Sequence, residues 1–135
     1  MQLEWVPTRS VAEVDQTLAS LDAAPPDALM FLPDSIILEN RTMVTEFALR
    51  HKIPTLSGWT EYAQAGGLLS YGPDLVARVQ RVGFLTARIL QGAKPSDLPV
   101  ERPKNFELAV NLKTARSINL NISTTLLARA DEVIE

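Results

Sequence analysis

Four side chains with ligand-touching or proton-handling chemistry stand beside chain breakers. Asp34 lies between Pro33 and Ser35, Trp59 follows Ser57 and Gly58, Glu61 lies two residues beyond Trp59, and Tyr71 precedes Gly72-Pro73. A loop carboxylate such as Asp34 can hold a cation or relay a proton. It can equally start a helix by accepting that helix's first free N–H groups. Glu61 falls in the first turn of a helix predicted after Thr60, where a negative charge suits the helix dipole without any ligand. An aromatic ring in an exposed loop, as at Trp59, is a platform for an apolar or aromatic ligand, and it can also cap a sheet edge. At Tyr71, ring burial with a satisfied hydroxyl competes with ligand contact. The single histidine, His51, stands at a predicted helix end, where an imidazole favours the dipole and needs no catalytic role.

Other catalytic constellations are missing. The sequence has no cysteine, no Gly-x-Ser-x-Gly, no HExxH and no glycine-rich phosphate loop. It is therefore read as no enzyme, with no catalytic residue, no metal site and no cofactor. A flavodoxin-like or hydrolase-type enzyme using Asp34 would lack both a nucleophile and a phosphate loop. Net charge is −3 over 135 residues, which argues against a nucleic-acid partner, since phosphate binding needs clustered Lys and Arg. The chain is 46% hydrophobic with mean hydropathy +0.03, a composition that folds around one core. No apolar run reaches the ~18–20 residues of a membrane span. The opening MQLEWVPTRS lacks the basic start and apolar stretch of a signal peptide.

The loops carrying these residues need strands and helices to hold them. Leu3–Val6 is a predicted strand ended by Pro7. Ser10-Val11-Ala12-Glu13 has capping-box form, and Val11, Val14, Leu18 and Leu21 then trace one helix face. Ala28–Leu32 is continuously apolar, which predicts a strand buried on both faces. A helix over about 37–50 follows, then a strand over Ile53–Leu56, a brief helix from a Thr60 cap to Ala65 closed by Gly66, and a strand over Leu68–Tyr71. Four strand–loop–helix units in succession predict an α/β fold with a parallel sheet flanked by helices. In such sheets the loops after the strand carboxyl ends form the ligand crevice. These loops are 8–10, 33–35, 57–59 and 70–72. A strongly amphipathic helix spans Asp74–Gln91, with Leu75, Val79, Val82, Leu85 and Ile89 on one side and Arg78, Arg81 and Arg88 opposite. A Pro-rich connector over 93–105, an alternating half-exposed strand over Phe106–Leu112, a short helix around 114–118 and a last helix over about 123–131 complete the chain.

From IPTLSGWTEYAQAGGLLSYGPDL, ILQGAKPSDLPVERPKNFELAVNLKTARSINLNI and LLARADEVIE, the sequence resembles the carboxyl-terminal part of an ABC transporter substrate-binding protein. The resemblance is to the family that includes tryptophan- and other aromatic amino-acid-binding members. Residues 1–52, with ALMFLPDSIILENR, fit it more loosely. It implies most of one lobe of a type I periplasmic-binding-protein fold. Residues 1–73 would supply lobe strands and helices. Residues 74–105 would be a helix and connector that pack on an amino-terminal lobe. Residues 106–135 would be the return strand and final helices.

The function this resemblance implies is capture of a small amino-acid-like ligand between two lobes, for delivery to an ABC permease from a periplasmic or lipid-anchored position. By their place on the rim, the ligand-side residues would be Pro33, Asp34, Ser35, Ser57, Gly58, Trp59, Glu61 and Tyr71. The orphaned face of the 74–91 helix would make the isolated chain a homo-oligomer, with exchange of the 74–112 segment as one route. Two other readings are a ligand sensor feeding a signalling partner, and a fragment with no independent activity.

Overall fold

The computed structural model describes residues 2–135; Met1 lies outside the described residues. Helix α1 (Val11–Ala23) leads to strand β1 (Leu29–Phe31), then α2 (Ser35–Glu39), α3 (Arg41–Arg50), β2 (Thr55–Ser57), α4 (Thr60–Gln64) and β3 (Leu69–Pro73). Helix α5 (Leu75–Leu90) and a 3₁₀ turn at Pro95–Asp97 follow. Strand β4 (Phe106–Asn111), α6 (Leu112–Ser117), α7 (Thr124–Leu127) and β5 (Glu132–Ile134) end the chain. One five-stranded sheet runs in the order β1-β2-β3-β4-β5. β1, β2 and β3 are parallel, β4 is antiparallel to β3, and β5 is parallel to β4. The carboxyl ends of β1–β3 therefore lie at the same edge as the amino ends of β4 and β5.

Register and the two-residue pleat fix which side chains share a face. Phe31 pairs with Ser57, Ser57 with Ser70, and Ser70 with Ala109. Phe31 stacks on Tyr62 of α4, with ring centroids 5.7 Å apart. The Asn111 Nδ2 donates to the Ala63 carbonyl at 2.8 Å. Phe31, Ser57, Ser70, Gly72, Glu107, Ala109 and Asn111 thus face α4, and Met30 and Tyr71 face the other way. The core lies where helices meet the sheet. Phe47, Ala48 and Ile53 pack with Leu18, Leu21 and Leu29, while Leu68, Ala115 and Ile118 pack with Leu49, Leu69 and Ile122.

Several expectations change in detail. Leu3–Val6 is not a strand and is exposed, because a strand is made by its ladder and no described strand pairs with it. Three, not four, strand–helix units feed the parallel part of the sheet. β1 is an edge strand, and Met30 is 64% exposed, so β1 is not buried on both faces. The 37–50 helix is two helices. Asn40 (φ −102°, ψ 18°) turns the chain between them, and its Nδ2 donates to the Ile36 carbonyl at 2.7 Å. Pro54 delays β2 to Thr55. α4 has Trp59, not Thr60, at its N-cap, with no side-chain cap bond. Gly66 closes it at φ +108°, a conformation glycine adopts freely. β4 is half-exposed only at its start, since pairing on both edges buries Ala109, Val110 and Asn111. The last predicted helix shrinks to α7, and an unpredicted strand, β5, follows it: the Asp131 N–H donates to the Leu108 carbonyl, and its carboxylate accepts from the Leu108 N–H, both at 2.8 Å.

The Ser10 cap forms as expected, with the Glu13 N–H donating to Ser10 Oγ at 3.2 Å; the Glu13 carboxylate reaches back one residue further, to the Arg9 N–H at 2.8 Å. α5 is capped by Asp74, whose Oδ1 accepts from the Ala77 N–H at 3.0 Å. None of its sixteen residues is buried, and Val76, Val79 and Val82 are each 63% exposed.

Candidate ligand-binding rim

The three parallel strands deliver their loops to one rim, and glycines let those loops touch. A Cβ placed on Gly72 would come within 1.8 Å of the Gly58 carbonyl oxygen, and one on Gly58 within 2.5 Å of Pro33 Cγ. The loops after β1, β2 and β3 therefore lean on one another through bare backbone. The Ser57 hydroxyl donates to the Trp59 carbonyl at 3.0 Å and accepts from the Trp59 N–H at 3.4 Å, which fixes the β2–α4 turn.

Beside this stack is an open hollow of about 260 Å³. Its walls come from α4 and its N-cap (Trp59, Thr60, Glu61, Gln64), the β3–α5 junction (Pro73, Asp74, Leu75, Val76), the start of β4 (Glu107) and the start of β5 (Glu132). All of these lie towards the edge of the sheet where β1–β3 end and β4 and β5 begin. Four linings are carboxylates and none is Lys, Arg or His. Asp74 is engaged as a helix cap, and the Gln64 Nε2 donates to Glu132 Oε1 at 3.2 Å. No hydrogen bond or ion pair joins the Glu61 or Glu107 carboxylate to another described residue. The Trp59 Nε1 is buried without a hydrogen-bond partner among the described residues.

Of the residues expected on the rim, Trp59 and Glu61 meet in this hollow, with Ser57 and Gly58 shaping the turn behind them. Pro33, Asp34 and Ser35 are exposed and do not line the hollow: Pro33 packs on Gly58, and Asp34 caps α2 by accepting from the Ile36 N–H at 2.8 Å and the Ile37 N–H at 3.4 Å. Tyr71 lies within β3 on the opposite face. Its ring is 58% exposed rather than buried, tilted against Phe106 at 5.7 Å. Between the two groups, the Tyr62 hydroxyl is buried and unpartnered. Burial, then the charge of Asp34, pushes its pKa up, so this phenol stays protonated. His51 caps the end of α3 and meets Asp22 of α1 at 2.8 Å, a structural tie between these two helices.

Asp74, Glu107 and Glu132 were not among the residues read from sequence. Glu107 occupies an outward position in an alternating strand, a pattern that also describes any solvated face. Glu132 becomes a lining only through β5, for which the sequence reading had no element.

A rim of strand-end loops beside an aromatic-walled hollow, on a largely parallel α/β sheet, is the place where sheets of this kind hold ligands. Residues 1–134 match the model of the ABC transporter substrate binding protein family, and the chain belongs to that family. It is similar to a tyrosine-binding protein of Clostridioides difficile, with 26% identity over 109 residues covering 81% of this chain and 31% of that protein. A solved ABC domain from Streptococcus pneumonia in complex with L-Trp superposes with TM-score 0.83 at 26% identity, covering 93% of this chain and 42% of that one. A conserved domain protein from Vibrio cholerae O1 biovar El Tor gives TM-score 0.83 at 25% identity, covering 92% and 42%. The chain thus spans under half the length of these relatives.

Proposed function

We propose that this chain forms the carboxyl-terminal lobe of the solute-binding component of an ABC importer, and that the intact protein closes two lobes over a small, amino-acid-like organic ligand. The observation carrying this is the Trp59-walled hollow at the strand ends of a chain that matches the substrate-binding family along its length. Trp59 supplies an apolar wall for an aromatic or aliphatic side chain. The glycine-pinned loops hold that wall in place before ligand arrives, so little ordering is needed on binding. Closure is stabilised by contacts the ligand makes with both lobes, and a permease on the extracytoplasmic side of the membrane then reads the closed shape.

Relatives whose names record tyrosine or L-Trp support an aromatic amino acid as the first ligand to try. Ligand-observed NMR with L-Trp and L-Tyr tests it. Saturation transfer to the ligand ring, lost in Trp59→Ala, is the expected result. Transfer that persists unchanged in Trp59→Ala would move the site away from this hollow. The same reading assigns α5 a covering surface: an amino-terminal lobe in the intact protein, or a second copy when this chain is alone. A dimer in native mass spectrometry is the expected state of the isolated chain, and a monomer at micromolar concentration would contradict it.

A further inference from the structure

We infer that α5 of one copy packs on the uncovered sheet face of a second copy, and reciprocally, so that the isolated chain closes into a dimer by helix-on-sheet contact. The inference rests on the second-copy reading above and adds the surface that receives α5. Helices α3 and α4 pack on the sheet face that carries Leu29 and Phe31, and α1 joins α3 there through Leu18 and Leu21. On the opposite face, register aligns Met30, Leu56, Leu69, Val110 and Val133 as one apolar row across all five strands. Val110 is buried, but both ends of the row are exposed, and Tyr71 and Phe106 lie exposed beside its middle. A largely parallel sheet of this kind is stable with cover on both faces.

α5 is the matching surplus: Val79, Val82 and Ile89 form an exposed stripe on a helix with no buried residue. At 1.5 Å per residue α5 is about 24 Å long, and five strands about 4.8 Å apart span about 19 Å, so one helix can cross the whole row. The charges complement each other as well. Residues 74–105 hold six Lys or Arg against three Asp or Glu, whereas the rest of the chain holds seven against thirteen. The basic excursion of one copy thus meets an acidic body in the other. Because Pro73 pairs with Phe106, α5 can dock on a partner without breaking the β3–β4 ladder. Two-fold symmetry satisfies both helices and both faces at once.

Analytical ultracentrifugation of the 135-residue chain tests this. Val79→Asp and, separately, Tyr71→Asp are each expected to weaken the dimer by roughly a hundredfold, since each would place an unpaired carboxylate in an apolar contact. Both positions are exposed in the single chain, so circular dichroism should show each variant folded, and Leu3→Asp is the unchanged control. The chain has no cysteine, so Val79→Cys copies can be mixed with Tyr71→Cys copies and joined by a short bis-maleimide. The mixed pair is expected to outnumber either self-pair severalfold. A dimer that survives Tyr71→Asp, or whose Val79→Cys copies couple only to each other, overturns the inference while leaving α5 as the interface. A dimer that survives Val79→Asp, or a wild-type chain that stays monomeric at micromolar concentration, overturns the inference and the second-copy reading together.

Discussion

Helices α4 and α5 are separated only by residues 65–74 and make opposite uses of their sequences. α4 has five residues, no side-chain cap bond, and two of its residues, Tyr62 and Ala63, fully buried. α5 has sixteen residues, an Asp cap, a sharply segregated apolar stripe, and no buried residue. By the criteria that make an isolated helix form, α5 is the better helix. By the criteria that hold a domain together, α4 matters far more. Local preference specifies that α5 is helical, while contact with the sheet specifies where α4 goes. The contrast teaches that amphipathicity records an intended neighbour whether or not that neighbour is at hand.

The sharpest way to break this comparison sets Gly72, in the strand that α4 covers, against Gly83 of α5. Gly72→Ala forces a Cβ against the Gly58 backbone, so urea unfolding should show a loss of about 3 kcal/mol or more. A loss below about 1 kcal/mol would mean the loop stack is soft. Tyr62→Phe removes a buried hydroxyl that has no partner, so it should be neutral or stabilising by about 1 kcal/mol in the same assay. A clear destabilisation would reveal a hydrogen bond the hydroxyl makes through solvent. Gly83 lies mid-α5, and an added Cβ meets nothing within 4 Å. Gly83→Ala should therefore raise stability by about 0.5–1 kcal/mol if α5 unfolds with the domain, and leave the midpoint untouched if α5 melts separately.

The smallest effect concerns pH. Arg81 Nε donates to Glu101 Oε2 at 2.7 Å, and its Nη2 donates to Oε1, fastening the connector to α5. The hydrogen bond from Arg81 holds the Glu101 carboxyl below the usual carboxylate range. A depressed folded-state pKa contributes stability present above the unfolded value and lost as pH falls through the folded one. Hydrogen exchange across 99–104 should therefore quicken on acidification below the ordinary carboxylate range, and Arg81→Ala should abolish that pH dependence.

Much of this architecture was legible in the sequence. The 3.6-residue periodicity located α1 and α5, the capping residues Ser10 and Asp34 marked real helix starts, and Gly66 marked a real helix end. The strand–helix alternation was enough to put Ser57, Gly58 and Trp59 at the carboxyl end of a parallel strand. What escaped depends on long-range pairing. β5 exists because Asp131 and Glu132–Ile134 dock against β4, and nothing in DEVIE alone distinguishes that from a helix end. Leu3–Val6 shows the converse: a good strand sequence stays unpaired without a neighbouring edge. Glu107 and Glu132 join Glu61 only through the sheet order, so that part of the hollow required the fold itself.

The register of β3 and β4 has a practical consequence. Pro73 pairs directly with Phe106, so everything from 74 to 105 leaves and re-enters the sheet at a single rung. Paired Cα atoms in an antiparallel ladder lie about 5 Å apart, a gap that a two-residue turn closes. The intervening segment is topologically an insertion in a hairpin. Excising it and splicing in Asn-Gly should give a smaller, self-contained unit that keeps the glycine stack and most of the carboxylate wall while shedding the greasy helix. Such a trimmed unit would be a recombination module: a sheet onto which a different excursion can be grafted without redesigning the hollow beneath it.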